Sequence, residues 1–114
     1  MYLGVFDSYR FTPETAVDAN SIVTGGPMVG VTRANVPAGE VGLAFITTPV
    51  SVYSFPVDAL GANKSAGTAV YIDGSGDITF DANDGASPAT AYTQLGIVWK
   101  AATAGDTEIV VALV

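Results

Sequence analysis

Short runs of alternating apolar and polar residues recur along this chain, separated by Gly, Pro, Asn and Asp, which is the pattern of strands joined by tight turns. The clearest instance is a stretch that occurs twice, at Val29–Phe45 and at Leu95–Val111. Each copy opens apolar-Gly-apolar, loses hydrophobicity, takes an Ala-Gly-acid step and ends in an apolar run. Gly30 and Gly96, Ala38 and Ala104, and Gly39 and Gly105 are the identities between them. The pattern predicts strand, turn, strand in both places, with Gly39 and Gly105 at the turns because glycine takes positive φ without a Cβ clash. Two independent hairpins of a common kind would read this way, and so would an old duplication.

The remaining elements follow from the same grammar. Met1–Phe11 is rich in aromatics, which favour strands and also suit docking surfaces. It reads as a first strand packed on the core or as an arm laid on a partner, ending before Pro13. Thr12–Asn20 is polar and predicts a loop, Ser21–Val23 a short strand, and Gly25-Gly26-Pro27 a turn. Leu43–Thr47 is apolar at four of its five positions, which predicts a strand covered on both faces. Pro49 separates it from Val50–Phe55, where Val50 and Val52 face one way and Ser51 and Tyr53 the other. Val57–Gly67 is a loop. Thr68–Ile72 and Asp77–Phe80 form a hairpin around Asp73-Gly74-Ser75-Gly76. After a further loop at Asp81–Pro88, the run from Ile109 to Val114 is apolar on both faces, as Leu43–Thr47 is, which points to burial of part of this surface between subunits as well as within the chain.

Length and composition narrow the class. The chain has 114 residues, enough for one domain with a continuous core. It is 49% apolar and only 13% charged, carries 13 Gly and 6 Pro, and offers no run resembling a long amphipathic helix. The expected fold is all-β, a small single-domain barrel or sandwich built from hairpins, with residues 1–17 as an N-terminal strand or arm and 18–114 as the main domain. Eleven acidic residues against four basic ones leave a formal charge of −7. Arg10, Arg33, Lys64 and Lys100 are scattered, so the basic footprint of a direct nucleic-acid binder is missing. No apolar run approaches the roughly 20 residues that span a bilayer as a helix. No signal-peptide pattern is visible at the N-terminus, so synthesis in the cytoplasm is expected.

Candidate chemistry is sparse. There is no Cys and no His, which removes thiolate chemistry and the usual nucleophile-plus-base pairs. Lys64-Ser65 are adjacent loop residues and make a poor catalytic pair. Asp73, Asp77, Asp81 and Asp84 fall at calcium-loop positions 1, 5, 9 and 12, but Ile78 stands where the loop requires glycine and Asp84 where it requires a bidentate Glu. Gly61-Ala62-Asn63-Lys64-Ser65 has Asn63 in place of the second P-loop glycine. The Gly25-Gly26 pair lacks the Lys and the helix that would make it an anion nest. No enzyme activity and no cofactor are expected.

The ordered series Gly25-Gly26-Pro27, Val29-Gly30-Val31, Ala38-Gly39-Glu40, Val70-Tyr71, Asp73, Leu95-Gly96 and Ala104-Gly105-Asp106 resembles the capsid decoration or cement proteins of tailed phages. The resemblance covers about residues 18–114. Members are often labelled RecA/RadA-like recombinases, a label that the missing P-loop argues against. The resemblance implies a structural protein on the outer capsid surface of the virion that reinforces the shell. It implies the major capsid protein as partner and a homo-oligomer, with a trimer favoured. The chain departs from the usual pattern at Pro49–Phe55 and in its aromatic lead. The residues expected at the capsid or subunit interface are Tyr2, Leu3, Val5, Phe6, Tyr9 and Phe11 in the lead, and Val110, Ala112 and Val114 in the last strand. A different reading is a tail- or fibre-associated module binding a host-surface glycan, with Trp99, Tyr53, Tyr71 and Tyr92 as stacking surfaces. A tail-tube or connector subunit is a third.

Overall fold

The longest element, β4 (Gly42–Pro56), has different partners on its two edges. One edge is paired along its length by β1 (Tyr2–Phe11). The other is paired by β3 (Gly30–Thr32) in its first half and by β8 (Glu108–Leu113) in its second. The computed structural model describes residues 1–113, the side chain of Thr47 excepted. Among them there are eight strands and no helix. Beyond β4 and β8 the antiparallel sheet continues through β7 (Thr93–Lys100) and β5 (Ala69–Ile72) to the short β6 (Ile78–Thr79), while β2 (Ile22–Val23) closes the opposite end beside β3. The all-β, hairpin-built expectation holds, but the sheet stays open and does not close into a barrel. Its extents are 48 × 28 × 27 Å and its radius of gyration 15.9 Å, against about 13 Å for a compact domain of this length. The molecule is elongated.

Pro49 does not end a strand as its position predicts. It lies inside β4, at an irregularity where Ser8 pairs with Phe45 and Phe6 with Val50. Ile46 to Pro49 therefore stand opposite Asp7 alone. Proline brings no ladder N–H, and a bulge is one of the few places in a sheet where none is needed. The bulge lets one strand serve both halves of the molecule.

The two copies of the repeated stretch share more than turn type. In the first, Val17 and Val36 exchange backbone hydrogen bonds, Asn20 N–H donates to Thr32, Thr32 N–H donates to Ser21, and Gly39 N–H donates to Pro13. In the second, Lys64 and Ala102 exchange them, Gly67 N–H donates to Val98, Val98 N–H donates to Thr68, and Gly105 N–H donates to Leu60. The pairings Ile22–Val31 and Val23–Gly30 recur as Ala69–Ile97 and Val70–Gly96. Gly39 and Gly105 both have positive φ, and so do Asn20 and Gly67 at the other shared turn. The two stretches thus build the same hydrogen-bonded unit. One buried position differs in chemistry: Thr32 stands where the second copy has Val98, and both are fully buried. The Thr32 hydroxyl donates to the Asp18 carbonyl at 2.7 Å and accepts from Ser21 N–H at 3.0 Å, so its polarity is satisfied.

The core has two parts. One face of the sheet buries Tyr9, Ala44, Ile46, Val50, Val52 and Ala112, with Trp99, Met28 and Phe11 packed on them. The expected alternation of Val50 and Val52 against Ser51 and Tyr53 is thus seen. The second part buries Val70, Val98, Ala102, Ile109 and Val111, and belongs to the second copy alone. Its cover comes from Phe55, Val57, Leu60 and from Ile78 and Phe80, the last two carried by the hairpin of β5 and β6. That hairpin turns on Asp73, whose Oδ1 accepts from Ser75 and Asp77 N–H, each at 2.9 Å. The Asp73 carboxylate is engaged in its own turn, consistent with the turn reading of the acidic loop.

Candidate interaction surface

Leu43 lies on the same side of the sheet as Phe55 and its partner Ile109. In the repeat its counterpart is Val110, since Ala44 stands opposite Thr32 as Val111 stands opposite Val98. Leu43 is 46% exposed and Ile109 is 1% exposed. The β6 hairpin brings Ile78 and Phe80 over Ile109, and among the described residues nothing comparable lies over Leu43. The expectation that Leu43–Thr47 is covered on both faces is therefore corrected: Ala44 and Ile46 are buried, and the alternate face is open in this chain.

The open face can be followed across the sheet. Ile22 pairs with Val31, Val31 with Phe45, and Arg10 with Leu43, and residues paired across neighbouring strands share a face. Val29 and Val41 flank it, 64% and 66% exposed, and Ile22 is 70% exposed. The Arg33 guanidinium lies over the Phe45 ring, 3.8 Å from its centroid, a cation–π contact that leaves the charge at the surface. Arg33, Val36, Val41, Leu43 and Phe45 bound a shallow groove of about 410 Å³. Leu43 and Phe45 belong to the apolar run for which burial between subunits is expected from sequence, whereas Arg33, Val36 and Val41 carry no sequence signal of their own.

The predicted interface residues divide. Tyr2, Leu3, Val5 and Phe6 are exposed on β1, with the Tyr2 ring 5.1 Å from Tyr53 and the Phe6 ring 5.8 Å from Trp99. Among the described residues β1 is also the one long strand with a free edge; the sheet's other two ends, β2 and β6, have two residues each. Tyr9 is buried: its hydroxyl donates to the Met28 carbonyl at 2.6 Å and its ring meets Trp99 edge-on. Burial pushes the Tyr9 phenol above its ordinary pKa. Phe11 and Val110 are half-buried against the same core, and Ala112 is fully buried. Val114 lies outside the described residues. Of the proposed stacking surfaces, Trp99 is packed on Phe6 and Tyr9, and Tyr53 lies between Tyr2 and Phe55.

The charges are uneven. Asp73, Asp77 and Asp81 rim one groove beside Ile78 and Phe80, and Lys64 sits over Phe80 at 4.5 Å. The Thr90 and Ala86 N–H groups hold the Asp84 carboxyl below its usual range. Tyr92 is raised by desolvation and by the negative charges of Asp84, Asp73 and Asp81. The end of the sheet that carries β6 is acidic, and the end that carries β3 and the start of β4 holds the two arginines.

An open sheet with an apolar face and a long free edge has the makings of a docking protein. Comparison with known families agrees: the model of the family described as phage cement protein matches residues 5–113. The chain belongs to that family. Cement proteins are structural components that stabilise the phage capsid, and the match spans both copies of the repeated unit and β1 from Val5 on. The recombinase label sometimes attached to similar sequences finds no support in it. No curated protein and no solved structure matches the chain.

Proposed function

We propose that this cement protein binds the major capsid protein on the outer surface of the assembled shell, acting as a homo-oligomer, with a trimer favoured, and without catalysis. In this reading it is made in the host cytoplasm and joins the shell from outside. The observation that carries the proposal is the distribution of exposed large apolar side chains. Among the described residues they all lie between Met1 and Leu43. β1 supplies Tyr2, Leu3, Val5 and Phe6 for shell contact, on a strand whose outer edge has unpaired backbone groups. The final strand, with Val110 and Ala112, backs β4 from its other side and takes a subordinate part.

The energetics suit the role. A ligand that binds the assembled lattice better than free subunits shifts assembly by mass action, and a shell offers the same site many times. Each contact can therefore be modest. The test is add-back to purified capsids that lack the protein, comparing the native chain with a variant carrying Tyr2→Ser, Val5→Ser and Phe6→Ser. The reading expects at least a tenfold loss of occupancy for the variant. Equal occupancy would remove β1 from the contact.

A further inference from the structure

We infer that the open apolar face of the first repeat is the surface on which copies of this chain join one another, and that its occupant is the acidic β5–β6 end of the neighbouring copy. The inference builds on the self-association proposed above and names the surfaces.

Three observations converge on a second copy as the occupant. The first is the sheet itself. On the side that carries Leu43, the far end of the sheet buries Ile109 under Ile78 and Phe80 from the β5–β6 hairpin. The chain thus already shows an element that covers this side. The end that carries Leu43 has the face and lacks the cover.

The second is charge. Arg10 and Arg33, the only arginines in the sequence, stand at the open face, Arg10 paired with Leu43 and Arg33 over Phe45. Asp77 and Asp81 are exposed on the hairpin side. A net charge of −7 disfavours association of copies in general. An orientation that brings the arginines of one copy to the aspartates of the next removes that penalty where the copies touch and fixes the register.

The third is placement. β2 and β6 are the two ends of the strand order, in a molecule 48 Å long. The arginine-bearing face and the acidic hairpin therefore belong to opposite ends of the sheet. They meet between copies, in a head-to-tail contact. Such a heterologous contact closes into a ring when the rotation between copies allows it. A two-fold contact would instead set arginine against arginine.

The experiment is sedimentation of the purified full chain over a concentration range, with Arg33→Glu, Asp81→Arg and the double variant. All of these positions are exposed, and circular dichroism and thermal melting check the fold of each. The expected result is an oligomer for the native chain, at least a tenfold weaker association for either single variant, and recovery in the double variant, where the charges are exchanged. Arg10→Glu and Leu43→Asp serve as second variants at the same face, with the same expected weakening. A monomeric native chain overturns the inference, as does Arg33→Glu weakening association while Asp81→Arg does not. Unchanged association in every variant also overturns it. If capsid occupancy then falls with Leu43→Asp, the face belongs to the shell contact and the capsid reading stands.

Discussion

The hydroxyl of Tyr9 donates to the carbonyl of Met28 at 2.6 Å, tying β1 to the loop that leads into β3. The ring fills the space that a side chain at Gly26 would need, with a Cβ there falling 2.2 Å from the Tyr9 ring. Tyr9→Phe keeps the ring and leaves the Met28 carbonyl without this donor. The expected cost is about 1 kcal/mol of unfolding free energy, measured by denaturant titration.

The same residue predicts a pH dependence. Burial raises the Tyr9 phenol above the ordinary 10.0, so the unfolded chain releases this proton before the folded one does. Its contribution is intact below the ordinary value and is lost as the pH climbs through the raised one. Melting temperatures measured from neutral into alkaline solution should fall more steeply for the native chain than for Tyr9→Phe. Parallel curves would contradict the burial argument.

The unequal cover at the two ends of the sheet predicts an inequality of substitutions. Ile109→Ala empties a fully buried site and should cost about 2–5 kcal/mol. Leu43→Ala, on the same side of the sheet at its open end, should change the stability of the isolated chain by no more than about 0.5 kcal/mol. Equal costs at the two sites, read from denaturant midpoints of the monomer, would mean that the open face is covered after all.

Close packing of backbone predicts a fourth effect. A Cβ at Gly96 would fall 2.0 Å from the Ala112 carbonyl oxygen, and backbone cannot move aside as a flexible side chain can. Gly96→Ala should therefore part β7 from β8 and cost about 3 kcal/mol, the upper end of ordinary overpacking. At Gly30, its counterpart, the nearest atom is the Ala44 Cβ at 2.9 Å, and the cost should be smaller. Thermal melts of the two alanine variants order the two sites.

Much of the fold was legible in local pattern because turns and alternation are local. The β5–β6 hairpin, the turns at Gly39 and Gly105, and the inward set of Val50 and Val52 all follow from residues within a few positions of one another. What sequence could not supply was pairing at a distance. Pro49 looks like a strand end until Asp7 of β1 is placed opposite the bulge. The run at Leu43 looks buried on both faces because apolar content reports desire for burial, and nothing local shows that the cover over Ile109 stops short of it. The same gap explains the mixed outcome at β1. Tyr9 has the same character as Tyr2, yet its partners Met28 and Trp99 come from elements that sequence pattern does not bring to it.

The central claim, that this chain stabilises the capsid by binding its outer surface, is tested most directly by the temperature at which capsids open, measured with the native protein bound and after its removal. The account predicts that stripped shells open at lower temperature and that saturating add-back of the purified chain restores the native value. Shells that bind the protein yet open at the same temperature with and without it would contradict the claim.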